Sequence, residues 1–183
     1  MGAAIIVVGG FNSIWPVYLR LARHLEDLTG NPCVAVPLMP HQWQQAARQQ
    51  DATTILERLE RTVAWAGRRL GTERIVLVGH SAGGVICRLY VCDLPVWGQQ
   101  YAGRCQVNWL ITLGSPHCSE RGTETGWFLT DEANRLAPGA PREVRIRCRA
   151  IAGKSVASRQ EGNWGERRAY HSYRFFGAQP QDW

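Results

Sequence analysis

The run Gly79-His80-Ser81-Ala82-Gly83 sets one hydroxyl between two residues that have no side chains. Before it stand Ile75, Val76, Leu77 and Val78, all strand formers, and after it Gly84, Val85 and Ile86 open a helical pattern. A strand, a sharp bend and a helix start form the context in which G-x-S-x-G acts as a nucleophile turn. Gly79 and Gly83 let strand and helix approach closely, so the serine is pushed out over the strand end, and the helix dipole favours negative charge developing beside it. The chemistry that suits this arrangement is acyl transfer. Ser81 Oγ attacks a carbonyl carbon, and the backbone N–H of Ala82 is one donor to the oxyanion that results. Without that context the same residues read as a plain turn with a helix cap; the flanking strand and helix favour the nucleophile.

A second oxyanion donor is expected from the loop after the first apolar run, Gly9-Gly10-Phe11-Asn12-Ser13, whose glycines allow close backbone approach; Phe11 N–H is the candidate. Asn12 and Ser13 also read as helix-entry residues ahead of Pro16.

A serine hydroxyl needs a histidine to take its proton and a carboxylate to hold that imidazole. Downstream of Ser81 the histidines are His117 and His171. His171 is the candidate base, although it sits in the aromatic segment Tyr170-His171-Ser172-Tyr173 with no strand before it, where structural packing is the competing role. Asp131 is the candidate acid; Thr130-Asp131-Glu132 also makes an ordinary helix start, and that use is favoured.

These groups have to be positioned by the elements around them. Apolar, β-branched runs recur at Ala4 to Val8, Cys33 to Val36, Arg74 to Val78, Val107 to Leu113 and Val144 to Ile151, and each reads as a buried strand. Between them, Val17, Leu21, Leu25 and Leu28 share one helical face from Pro16 to a glycine cap at Gly30. Ile55, Leu56, Leu59, Val63 and Leu70 do the same for a longer helix closed by Gly71, and Val85, Ile86, Leu89 and Tyr90 follow the serine turn. Strands alternating with helices predict one α/β domain over residues 1–183, with a mostly parallel sheet of about five strands and helices on both faces. In such sheets the site forms outside the carboxyl ends of the strands, where the loops at Gly9, Gly79, Gly114 and Gly153 all lie. Residues 115–143 form a long connection in which Trp127, Phe128 and Leu129 read either as an apolar flap over an acyl pocket or as core.

Together, Gly9-Gly10-Phe11, the turn Gly79 to Gly84 and the segment Thr112-Leu113-Gly114-Ser115-Pro116-His117 resemble lipase and esterase-type α/β-hydrolases over nearly the whole chain. The nearest likeness is to the branch of GPI inositol-deacylase-like and bacterial or plastid triacylglycerol lipase-like proteins. That resemblance implies hydrolysis of a small-molecule or lipid ester without metal or other cofactor. It gives His117 a supporting role near the site rather than that of the base. In such proteins the acid usually follows the third strand counted from the one before the serine turn, here Val144 to Ile151, and the base comes one strand later, whereas only about thirty residues follow Gly153. The tail Gly162-Asn163-Trp164-Gly165-Glu166-Arg167 is similar to the stretch leading into a Gly-Asp-Gly loop that bears the acid, and the sequence stops at Gln181-Asp182-Trp183. The expectation is a chain truncated at its C-terminal end, lacking the last strand or strands. The alternative function is a catalytically incomplete domain of this fold with a binding or partner role.

Composition narrows the remaining classes. The chain has 183 residues, 45% of them hydrophobic and 20% charged, which suits one packed domain and excludes a disordered one. Its net charge of +6 comes from scattered arginines with Lys154 as the only lysine, a solvated surface rather than a nucleic-acid footprint. Charge concentrates only from Arg142 to Arg149, and there it alternates with apolar residues as a strand would. The 6 cysteines show no C-x-x-C or metal spacing and read as reduced and packed. The apolar run Ala3 to Val8 lacks the features of a signal peptide, and no run approaches a membrane span, which together predict a cytoplasmic protein.

Overall fold

The computed structural model describes residues 2–117, 128–138, 146–152, 161 and 163 of the chain. In chain order the elements are β1 (Ala4–Val8), a 3-10 turn (Trp15–Tyr18), α1 (Leu19–Thr29), β2 (Cys33–Ala35), α2 (Pro40–Gln49) and α3 (Thr53–Leu70). They continue with β3 (Ile75–His80), α4 (Ala82–Tyr90), the short α5 (Gly103–Gln106), β4 (Val107–Leu113), α6 (Phe128–Leu136) and β5 (Arg147–Ile151). The strands form one 5-stranded sheet in the order β2-β1-β3-β4-β5, parallel throughout.

The order reverses at β1. From β1 the chain steps to β2 on one side, then returns to β3 on the other and proceeds outward through β4 to β5. A right-handed crossover must change face when its direction across the sheet changes, so α1 and the later helices cover opposite faces. Alternate β1 residues Ile5 and Val7 pack with Val78, Ala22, Tyr18 and Leu25 on the α1 side. Ala4, Ile6 and Val8 pack with residues of α2, α3, α4 and α6 on the other, where the larger core lies. The expected parallel α/β architecture with helices on both faces is therefore present, with β1 and β3 adjacent and the loops that leave them diverging, which opens a crevice above their ends.

Two helical details depart from the expected pattern. Val17 is 57% and Leu28 69% exposed, because the buried face of α1 is centred on Tyr18, Ala22 and Leu25, about a quarter-turn from the Val17–Leu28 stripe. Leu70 is likewise exposed at the end of α3, while Ile55, Leu56, Leu59 and Val63 are buried. The caps at Gly30 and Gly71 adopt the left-handed conformation (φ 65 and 61) that the absence of a Cβ makes cheap. Phe128 and Leu129 are buried in the core; Trp127 lies outside the described residues. Cys33, Cys87, Cys92, Cys105 and Cys148 are all free thiols, but Cys105 is exposed rather than packed. Among the described residues, no helix is long and apolar enough to cross a membrane.

Candidate active site

Ser81 stands between β3 and α4 with φ 53 and ψ −127, a backbone conformation that side-chain-bearing residues rarely adopt. Two backbone hydrogen bonds hold it there. Ser81 N–H donates to Leu113 C=O at 2.9 Å, tying the bend to the end of β4, and Gly84 N–H donates to Ser81 C=O at 3.0 Å, closing the first helical turn. A Cβ at Gly79 would overlap the backbone of Gly83 and Gly84, and one at Gly83 would overlap the carbonyl oxygens of Val8 and Gly9. These two glycines therefore give the bend its room, and the second also lets α4 sit directly against the end of β1. Ala82 is the first residue of α4, and an N–H in a helix's first turn has no carbonyl within the helix to donate to. Ser81 itself is half-buried and Ala82 buried.

The register Val8↔Gly79 sets the loop after β1 beside the serine turn. A Cβ on Gly10 would stand 3.0 Å from the Ser81 Cβ. Gly10 C=O accepts from Ser13 N–H (3.3 Å) and Ser13 Oγ (2.6 Å), and Gly10 N–H donates to the Tyr18 hydroxyl at 2.7 Å. Phe11, next in the loop, packs edge-on to the buried Trp43 of α2 with ring centroids 6.0 Å apart. Asn12, at φ 59, accepts from Gln44 of α2 at 3.2 Å, so the loop is anchored to both faces of the sheet. Asn12 and Ser13 thus hold the loop itself instead of capping the following turn, whose N-terminal residue is Ile14 without a side-chain cap.

His80 and His117 flank the serine differently. His80 Nδ1 lies 2.9 Å from the Tyr18 hydroxyl, and although part of its ring faces solvent, desolvation of the tucked side lowers its pKa. His117 has both nitrogens engaged: Nε2 with Thr112 Oγ1 at 2.9 Å and Nδ1 with the Arg88 guanidinium at 3.4 Å. Burial, and then the Arg88 charge, push its pKa down to about 4. A neutral ring accepting from Arg88 at Nδ1 must donate from Nε2 to Thr112. Arg88 also donates to Ala137 C=O at 2.9 Å and to Asn134 Oδ1 at 3.1 Å, so it fastens the end of α6 to the helix that starts at Ser81. His117, Arg88 and Thr112 are thus one brace under the site.

Asp131 stands exposed in the first turn of α6, where a carboxylate suits the helix dipole. His171 lies outside the described residues. Hence Ser81, Ala82, Phe11, Gly79, His80, Gly83 and His117 are brought to one edge, while Asp131 stands on α6. Among the described residues, no three His, Cys, Asp or Glu side chains converge as a metal site. Tyr18, Trp43, Thr112 and Arg88 were not anticipated. Arg88 alone carried a signal, a single charge inside the apolar stretch Val85 to Val91, which buried helices tolerate only when the charge is satisfied.

The His117 brace has a pH consequence. Its folded pKa lies below the ordinary value, so the unfolded chain takes up a proton first as pH falls; stability is fully present above about pH 6.5 and is lost as pH falls from there towards about 4. Discounted for partial solvent screening, the loss attributable to His117 is about 1 kcal/mol between about pH 7 and about pH 5. Urea titrations of the wild-type chain and His117→Gln at those two pH values should show the difference narrowing by that amount in the variant, and equal differences would contradict the assignment.

Comparison with known proteins agrees with this fold. No curated protein matches the sequence. A solved acetyl xylan esterase superposes with a TM-score of 0.52 at 12% identity, over 94% of this chain and 93% of the esterase. A protein described as a cell surface hydrolase from Lactobacillus plantarum WCFS1 gives 0.52 at 15%, over 96% and 77%. A pyrethroid hydrolase is 20% identical with a TM-score of 0.45, and the chain spans only 42% of its length. At such identities the solved structures speak for the fold alone. The model of the alpha/beta hydrolase fold family matches residues 3–105, more than half of the sequence, and the chain belongs to that family.

Proposed function

We propose that this protein is a serine hydrolase of acyl esters. The observation that carries the proposal is the strained backbone of Ser81, held at the N-terminus of α4 within reach of the Gly9–Phe11 loop. Strain of about 1–3 kcal/mol at a non-glycine residue persists where the surrounding structure over-determines it, and such residues cluster at reactive sites. Ser81 Oγ adds to the ester carbonyl carbon as its proton passes to a base. The N–H groups of Phe11 and Ala82 hold the oxygen that becomes negative, and the alcohol leaves with the proton. Water then releases the acid from Ser81 by the same steps.

Ser81, Asp131 and His171 follow one another in the nucleophile–acid–base order of this fold, so Asp131 and His171 are the residues to test as acid and base. The likeness of Gly9-Gly10-Phe11, the turn Gly79 to Gly84 and the segment Thr112 to His117 to the lipase and GPI inositol-deacylase-like branch favours a lipid ester, and His117 serves as a brace. A fluorophosphonate probe labels only an activated serine. Incubation of the full chain followed by peptide mass mapping should place one adduct on Ser81, with the rate reduced in His171→Ala and Asp131→Ala. Absence of any adduct would reject the hydrolase in favour of a binding domain built on the same fold.

A further inference from the structure

Tyr18 is separated from the serine turn by α1, β2, α2, α3 and β3, yet its hydroxyl sits where the two halves of the site meet. It lies 2.7 Å from Gly10 N and 2.9 Å from His80 Nδ1. The phenol has one proton and two lone pairs. Gly10 N–H can only donate, so it occupies a lone pair and leaves the phenol proton available to Nδ1 of His80, an acceptor in the neutral ring protonated at Nε2. Desolvation on that side of the ring favours the same neutral form. The glycines are shaped to this arrangement. A Cβ on Gly9 would overlap the Tyr18 ring, and a Cβ on Gly10 would stand 3.3 Å from His80 Nδ1.

We infer that Tyr18 is a positioning residue, clasping the Gly9–Phe11 loop to His80 so that the Phe11 N–H is aimed before any ester arrives. The clasp acts through two adjacent peptide planes. Tyr18 fixes the plane of the Gly9–Gly10 peptide through its N–H. Ser13 fixes the next plane through the Gly10 carbonyl, at 2.6 Å from its hydroxyl and 3.3 Å from its N–H. In a trans peptide the N–H points opposite to the C=O, so holding the Gly10 oxygen against Ser13 sets the direction of the Phe11 N–H. A donor aimed in advance spares the reorganisation that a free loop would undergo as charge develops. His80, the residue between Gly79 and Ser81 in the turn, thus holds the loop in place instead of moving a proton.

This inference rests on the proposed ester hydrolysis, and the test separates the two. In Tyr18→Phe the ring remains and the hydroxyl goes, so folding should be preserved. With p-nitrophenyl acetate and the full chain, kcat is expected to fall about 10- to 100-fold with KM within about twofold, because the lost aim matters only when charge develops. His80→Leu should lose as much, and His80→Asn, which returns an acceptor at the Nδ1 position, should recover most of it. Independently of turnover, amide exchange measured by NMR should speed up about tenfold at Gly10 in Tyr18→Phe, but not at the β1 amides, and the His80 Nδ1 of the wild-type chain should show the 15N shift of an unprotonated ring nitrogen. Unchanged kcat in Tyr18→Phe, with Ser81-dependent turnover in the wild type, would overturn the clasp. So would exchange that rises uniformly across the sheet. If no Ser81-dependent turnover exists at all, the hydrolase assignment fails, and unchanged Gly10 exchange in Tyr18→Phe still overturns the clasp.

Discussion

Ser81→Gly is expected to be inert towards esters and yet more stable than the wild type by about 1 kcal/mol. The first effect follows from losing the nucleophile, which in hydrolases of this kind lowers turnover by at least about 10³-fold. The second follows from the backbone. At φ 53 and ψ −127 a Cβ is strained, and glycine removes a strain of about 1–3 kcal/mol while adding about 0.5–1 kcal/mol of unfolded-state entropy. Strain relief is the larger of the two. Ser81→Ala separates them, because it is equally inert but retains the Cβ and should leave stability within about 0.5 kcal/mol. Urea midpoints of the three chains, paired with p-nitrophenyl acetate turnover, decide the matter. A glycine variant less stable than the alanine variant would show that Ser81 holds no strain, and turnover surviving in either would remove Ser81 from the reaction.

Gly83→Ala should destabilise the fold by about 3 kcal/mol or more, the upper end of what an added methyl does in a packed core. The new methyl would meet the carbonyl oxygens of Val8 and Gly9, backbone at the end of a central strand that cannot swing aside as a side chain can. Relief would require β1 and α4 to separate, which opens the larger core at Val8, Val85 and Ile86, all 0% exposed. Gly67→Ala, inside α3, is the control. There the nearest atom stands at 3.4 Å, and alanine's better helix propensity works in its favour, so stability should change by less than about 1 kcal/mol. Equal effects at the two positions would contradict the steric argument. A mild Gly83→Ala would mean that helix and strand approach less closely than the structure shows.

Much of the fold was legible because its signals are local. β1 and β4 begin and end where their apolar stretches do, at Ala4–Val8 and Val107–Leu113, and β1, buried on both faces, is an unbroken hydrophobic run. The helices after Pro16 and before Gly71 were likewise readable from their period and caps. α2 was not, since Gln44, Gln45, Gln49 and Gln50 mask its short buried face of Gln42, Trp43 and Ala46; only Pro40 at its start and the Gln42 side chain accepting from Met39 N–H mark the helix. Within the site, the turn around Ser81 spells itself out in five residues. Tyr18 gave no such notice, being one aromatic in the apolar pattern that follows Pro16.

By itself, then, the sequence determined the strand–turn–helix at Ser81, the glycine-bearing loop after β1 and the alternation that makes a parallel sheet, all set by sterics and hydrogen bonding among near neighbours. What joins them was decided only in three dimensions. The reversal of strand order at β1 is what puts β1 beside β3, and hence Gly10 against Ser81, Tyr18 against His80 and, one strand further on, His117 against Arg88. None of these pairs is close in the chain. Each depends on which strands are neighbours and on the register between them, and those follow from how the two faces of the sheet bury their helices rather than from any local preference.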